Sequence, residues 1–201
     1  MKTKREPYAG TRETRGRIVK AALACFDEAG YEGASMKDIS RRSGAANGSI
    51  YHHFGGKEGV AAAVYLAGLA SYQERTGAVF SGDPGAREGV LGLVTAHLAW
   101  VEENPEWARF LASMRHAGFM GNQDPAIRAG NVEWAGRILA WKARRVQGGS
   151  LRDLAPGLFL SLVLGPCQEL VRLWLEGLVP DGPAAAAETL GQAAWRAVGT
   201  S

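Results

Sequence analysis

The chain has 201 residues and a mass of 21.4 kDa, room for a real core in one or two compact domains. At 46% hydrophobic and 21% charged residues its composition excludes a disordered chain, and its longest apolar run, Leu158 to Leu164 broken by Ser161, is too short to span a bilayer. The net charge of +3 is unevenly spread: residues 1–57 hold 11 Lys+Arg against 6 Asp+Glu, a balance of +5, and residues 58–201 hold 12 against 14, a balance of −2.

A basic first quarter on a mildly acidic remainder fits a nucleic-acid module joined to something else. A solvated basic tail would give the same charge, since Lys2, Lys4, Arg5 and Arg12 lie near the terminus. The opening MKTKREPYAGTRETR has no apolar core and does not read as a secretory signal, so a cytoplasmic location is expected. Cys25 and Cys167 are far apart in sequence, Cys25 falls on an apolar helical face, and no CxxC metal spacing exists.

In chain order, every sizeable segment reads as helix. Thr11 can cap a first helix in which Ile18, Ala22, Cys25, Phe26 and Ala29 form one apolar stripe, with Gly30 as its C-cap. Ser35-Met-Lys-Asp38 matches a capping box and opens a short helix to about Arg42. Further on, Asp83-Pro84, Asn104-Pro105 and Asp124-Pro125 each set an N-cap residue before a first-turn proline. Asp153 can cap the next helix, and Gly182-Pro183 opens the last. These signals predict an all-α chain of nine helices, roughly 11–29, 35–42, 47–54, 57–80, 84–103, 105–117, 125–147, 153–178 and 183–198. Period-two strand patterns are absent.

The two short helices 35–42 and 47–54, joined at Ser43-Gly44, form a helix-turn-helix, so residues 1–57 read as a three-helix DNA-binding domain and 58–201 as a helical effector-binding and dimerisation domain. Met36, Ile39, Ile50 and Phe54 face inward. Asn47, Gly48, Ser49, His52 and His53 face outward, small and polar enough for the helix to sit deep in a major groove. Lys57, opening the next helix, can share a phosphate with free backbone N–H groups. The two histidines then need no metal: one donates to a phosphate, the other packs or faces water.

The run Gly48-Ser49-Ile50-Tyr51-His52-His53-Phe54-x-x-Lys57-Glu58 resembles the recognition-helix signature of the tetracycline-repressor (TetR) family of bacterial regulators. The upstream residues Ile18, Ala21, Ala22, Phe26, Gly30, Tyr31, Ser35, Met36, Asp38, Ile39, Ser40, Ser43 and Gly44 follow the same pattern, and the likeness covers about residues 11–66. A weaker likeness joins Leu164-Gly165-Pro166-Cys167-Gln168-Glu169, Arg172 to Leu175 and Ala194 to Ala197 to C-terminal helices of some members. The resemblance implies a homodimer binding a near-palindromic operator in double-stranded DNA, with a second domain for a small-molecule effector. Candidate DNA contacts are Ser35, Arg42, Ala46, Asn47, Gly48, Ser49, Tyr51, His52 and Lys57. Carried over by position, Tyr51, His52 and Lys57 meet mostly phosphates. The chain departs from the pattern at Ala46, where members usually carry Ser or Thr, which leaves Asn47 as the candidate cap; Gly55-Gly56 is also looser than usual.

All six tryptophans lie beyond residue 58. Ile127, Asn131, Trp134, Ile138 and Trp141 share one helical face; Trp107, Phe110, Leu111 and Met114 share another. Such faces are core, or with polar groups among them the wall of a ligand site. The candidate effector set is His97, Trp100, Phe110, Met114, Asn131, Trp134 and Trp141, facing a largely apolar, neutral or weakly charged molecule; taken alone, His97 reads more readily as a core histidine than as a ligand contact. Helix 153–178 is apolar nearly all round from Leu158 to Leu164 and calls for cover on two sides, by its own domain and by a partner subunit through helices 153–178 and 183–198. Gly165-Pro166 would kink it or admit close approach. The reading is a ligand-responsive repressor with no cofactor, metal or membrane partner and no enzyme activity. Its alternatives are an all-helical enzyme, for which no nucleophile motif or phosphate-cradling loop is found, and an architectural DNA-binding protein with a solidly filled second domain.

Overall fold

The computed structural model describes residues 7–114 and 125–200, with side chains from Thr11 onward. Among them are nine α-helices: α1 (Pro7–Gly33), α2 (Met36–Ser43), α3 (Asn47–Phe54), α4 (Lys57–Gly77), α5 (Ala86–Glu103), α6 (Pro105–Met114), α7 (Pro125–Gln147), α8 (Pro156–Leu175) and α9 (Ala187–Val198). Two 3₁₀ turns, Ala78–Phe80 and Pro183–Ala186, follow α4 and precede α9, where the sequence predicted continuous helix. The described residues hold no strand, only an isolated antiparallel bridge between Leu151 and Gly199.

The chain divides into two compact units, residues 1–69 with 106–124, and residues 70–105 with 125–201. The first unit thus runs past residue 57. The reason is the apolar face of α4, whose Val60, Ala61 and Val64 are buried with Ile18, Ala22, Phe26, Ile39 and Ile50. Phe110 and Met114 of α6 join that core, Phe110 stacking on Phe26 at 5.2 Å. Arg109 clamps α6 to α1 with Nε and Nη2 on the Asp27 carboxylate at 2.6 and 3.0 Å.

The second unit packs α5, α7, α8 and α9 around Val90, Leu93, Val94, Leu98, Ile138, Trp141, Phe159, Val163 and Cys167. Gly89 lets α5 approach Trp141: a Cβ there would overlap the indole. The Trp141 ring lies 4.9 Å from Phe80 and donates Nε1–H to Pro84 O at 2.9 Å. Both thiols are buried without a disulfide, and burial pushes Cys167 up to about 11.

Several helix starts differ from the sequence expectation. α1 begins four residues before Thr11, and Gly30, at φ 69°, breaks it one turn before Gly33. α5 starts at Ala86 after Gly85, whose N–H donates to Glu88 Oε2 at 3.3 Å, because Arg144 and Arg145 occupy the Asp83 carboxylate at 2.9 and 2.8 Å. Asp83 itself stands at φ 49°, in the left-handed region. Asn104 ends α5, its Nδ2 donating to Trp100 O at 2.8 Å. α8 starts after Ala155 without a side-chain cap, and Asp153 instead pairs with the buried Lys142 at 3.6 Å, whose Nζ also donates to Leu154 O. Asp124 and the end of the predicted helix 105–117 lie outside the described residues.

α8 is by length and composition the one described helix that could cross a membrane, which the run from Leu158 to Leu164 alone did not reveal. Phe159, Val163, Leu164 and Cys167 are built into the second unit's core, yet only 28% of the helix's apolar window is buried.

Candidate DNA interface and effector site

The helix-turn-helix is assembled from local rules. Ser35 caps α2: its Oγ accepts from Asp38 N at 3.2 Å and donates to Asp38 Oδ2 at 2.5 Å. That bond holds the Asp38 carboxyl below its ordinary pKa. Gly44 closes α2 at φ 68° and Gly55 closes α3 at φ 75°, the left-handed conformation that favours glycine. Ala46 occupies the N-cap position of α3 with φ −62° and ψ 144°, and makes no side-chain cap. Asn47 is the first helical residue and does not take over the cap.

An eight-residue helix without a cap owes its stability to packing. Ile50 is fully buried and Phe54 half-buried against the same core. From α1, Arg15 lies 4.7 Å above the Phe54 ring and its Nη1 reaches His53 O at 3.4 Å, placing a cation at the carbonyl end of α3.

On the other side of α3, Asn47, Gly48, Tyr51 and His52 are exposed, with Ser49 and His53 half-buried. Tyr51 is 52% exposed, a large ring that the described residues leave half open to solvent. The His52 and His53 rings are 5.5 Å apart; among the described residues no third ligand joins them into a metal set. Two candidate cations are already engaged. Arg42 pairs with Glu28 at 2.7 Å, and Lys57 donates to Glu32 O at 3.0 Å with its ammonium 4.6 Å from the centre of the Tyr31 ring. An ammonium has three donors, and the Glu32 carbonyl takes one.

In the second unit a cluster forms at the C-terminal end of α4. The Tyr72 hydroxyl is 3.0 Å from His97 Nδ1, and its ring meets His97, Trp100 and Trp134 at centroid distances of 5.6, 5.3 and 6.0 Å. Trp100 Nε1 donates to Ser71 Oγ at 3.1 Å, Trp134 Nε1 to Thr76 Oγ1 at 2.9 Å, and Gln73 Nε2 to Asn131 Oδ1 at 2.9 Å. His97 is 7% exposed, burial holds its pKa down at about 4, and its Nε2 has no hydrogen-bond partner among the described residues.

Of the seven candidate effector residues, His97, Trp100, Asn131 and Trp134 therefore gather on the α4 end. Trp141 is packed on Phe80 in the same unit, while Phe110 and Met114 belong to the core of the first. The sequence reading missed Ser71, Tyr72, Gln73 and Thr76. The four-residue spacing of Tyr72 and Thr76 on a long helix was the available signal.

The comparisons with known proteins bear on this architecture. Residues 18–64 match the model of bacterial regulatory proteins of the tetR family. The HTH-type transcriptional regulator TtgW of Pseudomonas putida is 34% identical over 114 residues, 57% of this chain and 81% of that protein. An HTH-type transcriptional repressor of Mycobacterium tuberculosis is 29% identical over 158 residues, 75% of this chain and 78% of that one. Among solved structures, a TetR family transcription regulator from Marinobacter aquaeolei superposes with a TM-score of 0.80 at 21% identity, covering 96% of this chain and 98% of its own. The regulator FadR of Bacillus subtilis, solved in complex with stearoyl-CoA, gives 0.77 at 18% identity over 89% and 96%. A helix-turn-helix that matches this family's model, joined to a second helical unit and shared with an HTH-type regulator, makes the chain a DNA-binding transcription regulator. This chain belongs to the TetR family, whose members bind operator DNA as homodimers and respond to small-molecule effectors.

Proposed function

We propose that the chain is a cytoplasmic repressor without enzyme activity, with α3 as its recognition helix, that leaves a near-palindromic operator when a small, neutral, largely apolar effector binds its second unit. The observation that carries this reading is α3 itself. Its buried side is held by Ile50, Phe54 and Arg15, and its opposite side offers only small and polar groups with the exposed Tyr51. Ser49 and Asn47 face base edges, and Tyr51, His52 and Lys57 face phosphates. Arg42 and Ser35 reach the backbone after exchanging or sharing their Glu28 and Asp38 partners, and Ala46 and Gly48 allow close approach.

The dimer forms through α8 and α9. Leu158 is 50% exposed and Leu178, just past α8, 65% exposed, with Leu162, Leu173 and Trp174 half-buried between them. A second copy covers this surface in an isologous four-helix arrangement. The effector binds beside Tyr72, His97, Trp100 and Trp134. It releases DNA because it binds more tightly to a dimer whose recognition helices no longer match successive grooves.

Binding of duplex DNA from beside the chain's own gene, followed as salt is varied, tests this. Lys57→Ala should weaken all sequences alike and lower the salt slope by about one. Ser49→Ala should change sequence preference and leave the slope alone. An unchanged slope in Lys57→Ala would assign that ammonium to Glu32 and Tyr31 only.

A further inference from the structure

The cluster at the end of α4 is polar at several points, and almost all of that polarity is spent within the protein. The Trp100 and Trp134 indole N–H groups are bonded to Ser71 and Thr76, so these rings offer a ligand only carbon faces. His97 Nδ1 is engaged by the Tyr72 hydroxyl at 3.0 Å. Of the fully buried polar atoms, the one left over is His97 Nε2, with no partner among the described residues. Leaving a buried polar atom unmatched costs about as much as a lost hydrogen bond, so such an atom in a native fold calls for a function or a partner from outside.

The Tyr72 contact fixes what kind of partner. A phenol is a stronger donor than a neutral imidazole N–H, and an imidazole nitrogen is a stronger acceptor than a phenol oxygen. The hydroxyl therefore donates to Nδ1, and the ring proton sits on Nε2. Nε2–H is a donor and needs an acceptor. Burial holds the ring's pKa down and no charged group among the described residues contributes, so none of them would balance a charged ligand.

We infer that His97 Nε2–H is the polar anchor of the effector site, donating to the carbonyl-type oxygen of an uncharged small molecule whose apolar body lies against Tyr72, Trp100 and Trp134. This rests on the effector-site reading above and narrows it to one hydrogen-bond acceptor on an otherwise apolar molecule.

A pair of probes differing only at that oxygen tests the inference: 4-phenyl-2-butanone, and 2-methyl-4-phenyl-1-butene, in which a methylene replaces the carbonyl oxygen. Each is titrated into the full chain, with tryptophan emission as the readout, for wild type, His97→Leu and His97→Gln. Because hydration of the two probes cancels between proteins, the ketone-to-alkene affinity ratio isolates the hydrogen bond. The ratio should fall about tenfold in His97→Leu. In His97→Gln, whose amide can donate from a similar place, it should be largely kept. Ring ¹⁵N NMR of the free protein should find the proton on Nε2. Equal ratios in wild type and His97→Leu, or a proton on Nδ1, would overturn the anchor while leaving an effector site standing. A chain whose emission answers neither probe at millimolar concentration would overturn the effector site itself. His97→Gln keeps the test open if the leucine variant does not fold.

Discussion

Among the described residues, one buried imidazole gives this fold an acid-sensitive step. His97 is held neutral by burial, with a folded pKa of about 4 against an ordinary 6.5. The unfolded chain gains a proton near 6.5 that the folded chain accepts only near 4. The stability from the neutral ring is thus complete above about 6.5 and is lost as pH falls through that window, at about 1.4 kcal/mol per pH unit. Between pH of about 7 and about 5 the protein should lose about 2 kcal/mol in urea unfolding, and His97→Leu, with no ring to protonate, should lose far less. Equal losses in both proteins would place the acid sensitivity in another group. The sequence put His97 on an apolar face, but not its partner. Tyr72 lies 25 residues away on a helix whose own face drew no attention, and only the packed structure joins them.

Elements were the most legible level where their signals were local. Ser35 with Asp38, and the turn at Gly44, carry their partners within three or four residues, and α2 and α3 fall within a residue of expectation. Asp83 and Asp153 carry the same N-cap signal and cap nothing, because Arg144, Arg145 and Lys142 take their carboxylates from elsewhere in the chain. Such pairings are invisible to a local reading, and so was the destination of the Phe110 and Met114 face, which helical spacing marks as apolar without saying what covers it. The missing cap of α3 gives a direct expectation: Ala46→Ser should raise stability by about 1 kcal/mol, read from the denaturation midpoint. Gly59→Ala should do the reverse, by roughly 1–3 kcal/mol, since its Cβ would collide with the Phe54 carbonyl oxygen where α4 follows α3. A stabilised Gly59→Ala variant would mean that the junction between these helices is looser than described.

For the whole molecule, the proposed dimer seam on the exposed apolar surface of α8 is what would set how two recognition helices are presented together. Phe159 and Val163 bind α8 into its own unit, and Leu158 faces away. A lysine at the exposed Leu158 should leave folding intact but shift the sedimentation coefficient toward the monomer at micromolar concentration and weaken operator binding with it. A dimer unaffected by that charge would move the interface off this face. Two α3 helices reading successive major grooves must stand about 34 Å apart, one helical turn. The central claim, that paired α3 helices read the DNA, is tested most directly by a hydroxyl-radical footprint on the DNA flanking the chain's gene. The account predicts two symmetric protected half-sites on one face of the duplex, about one turn or a whole number of turns apart, both lost in a Tyr51→Ala, Lys57→Ala double variant that still dimerises. A single unpaired site, or protection that survives those substitutions, would contradict it.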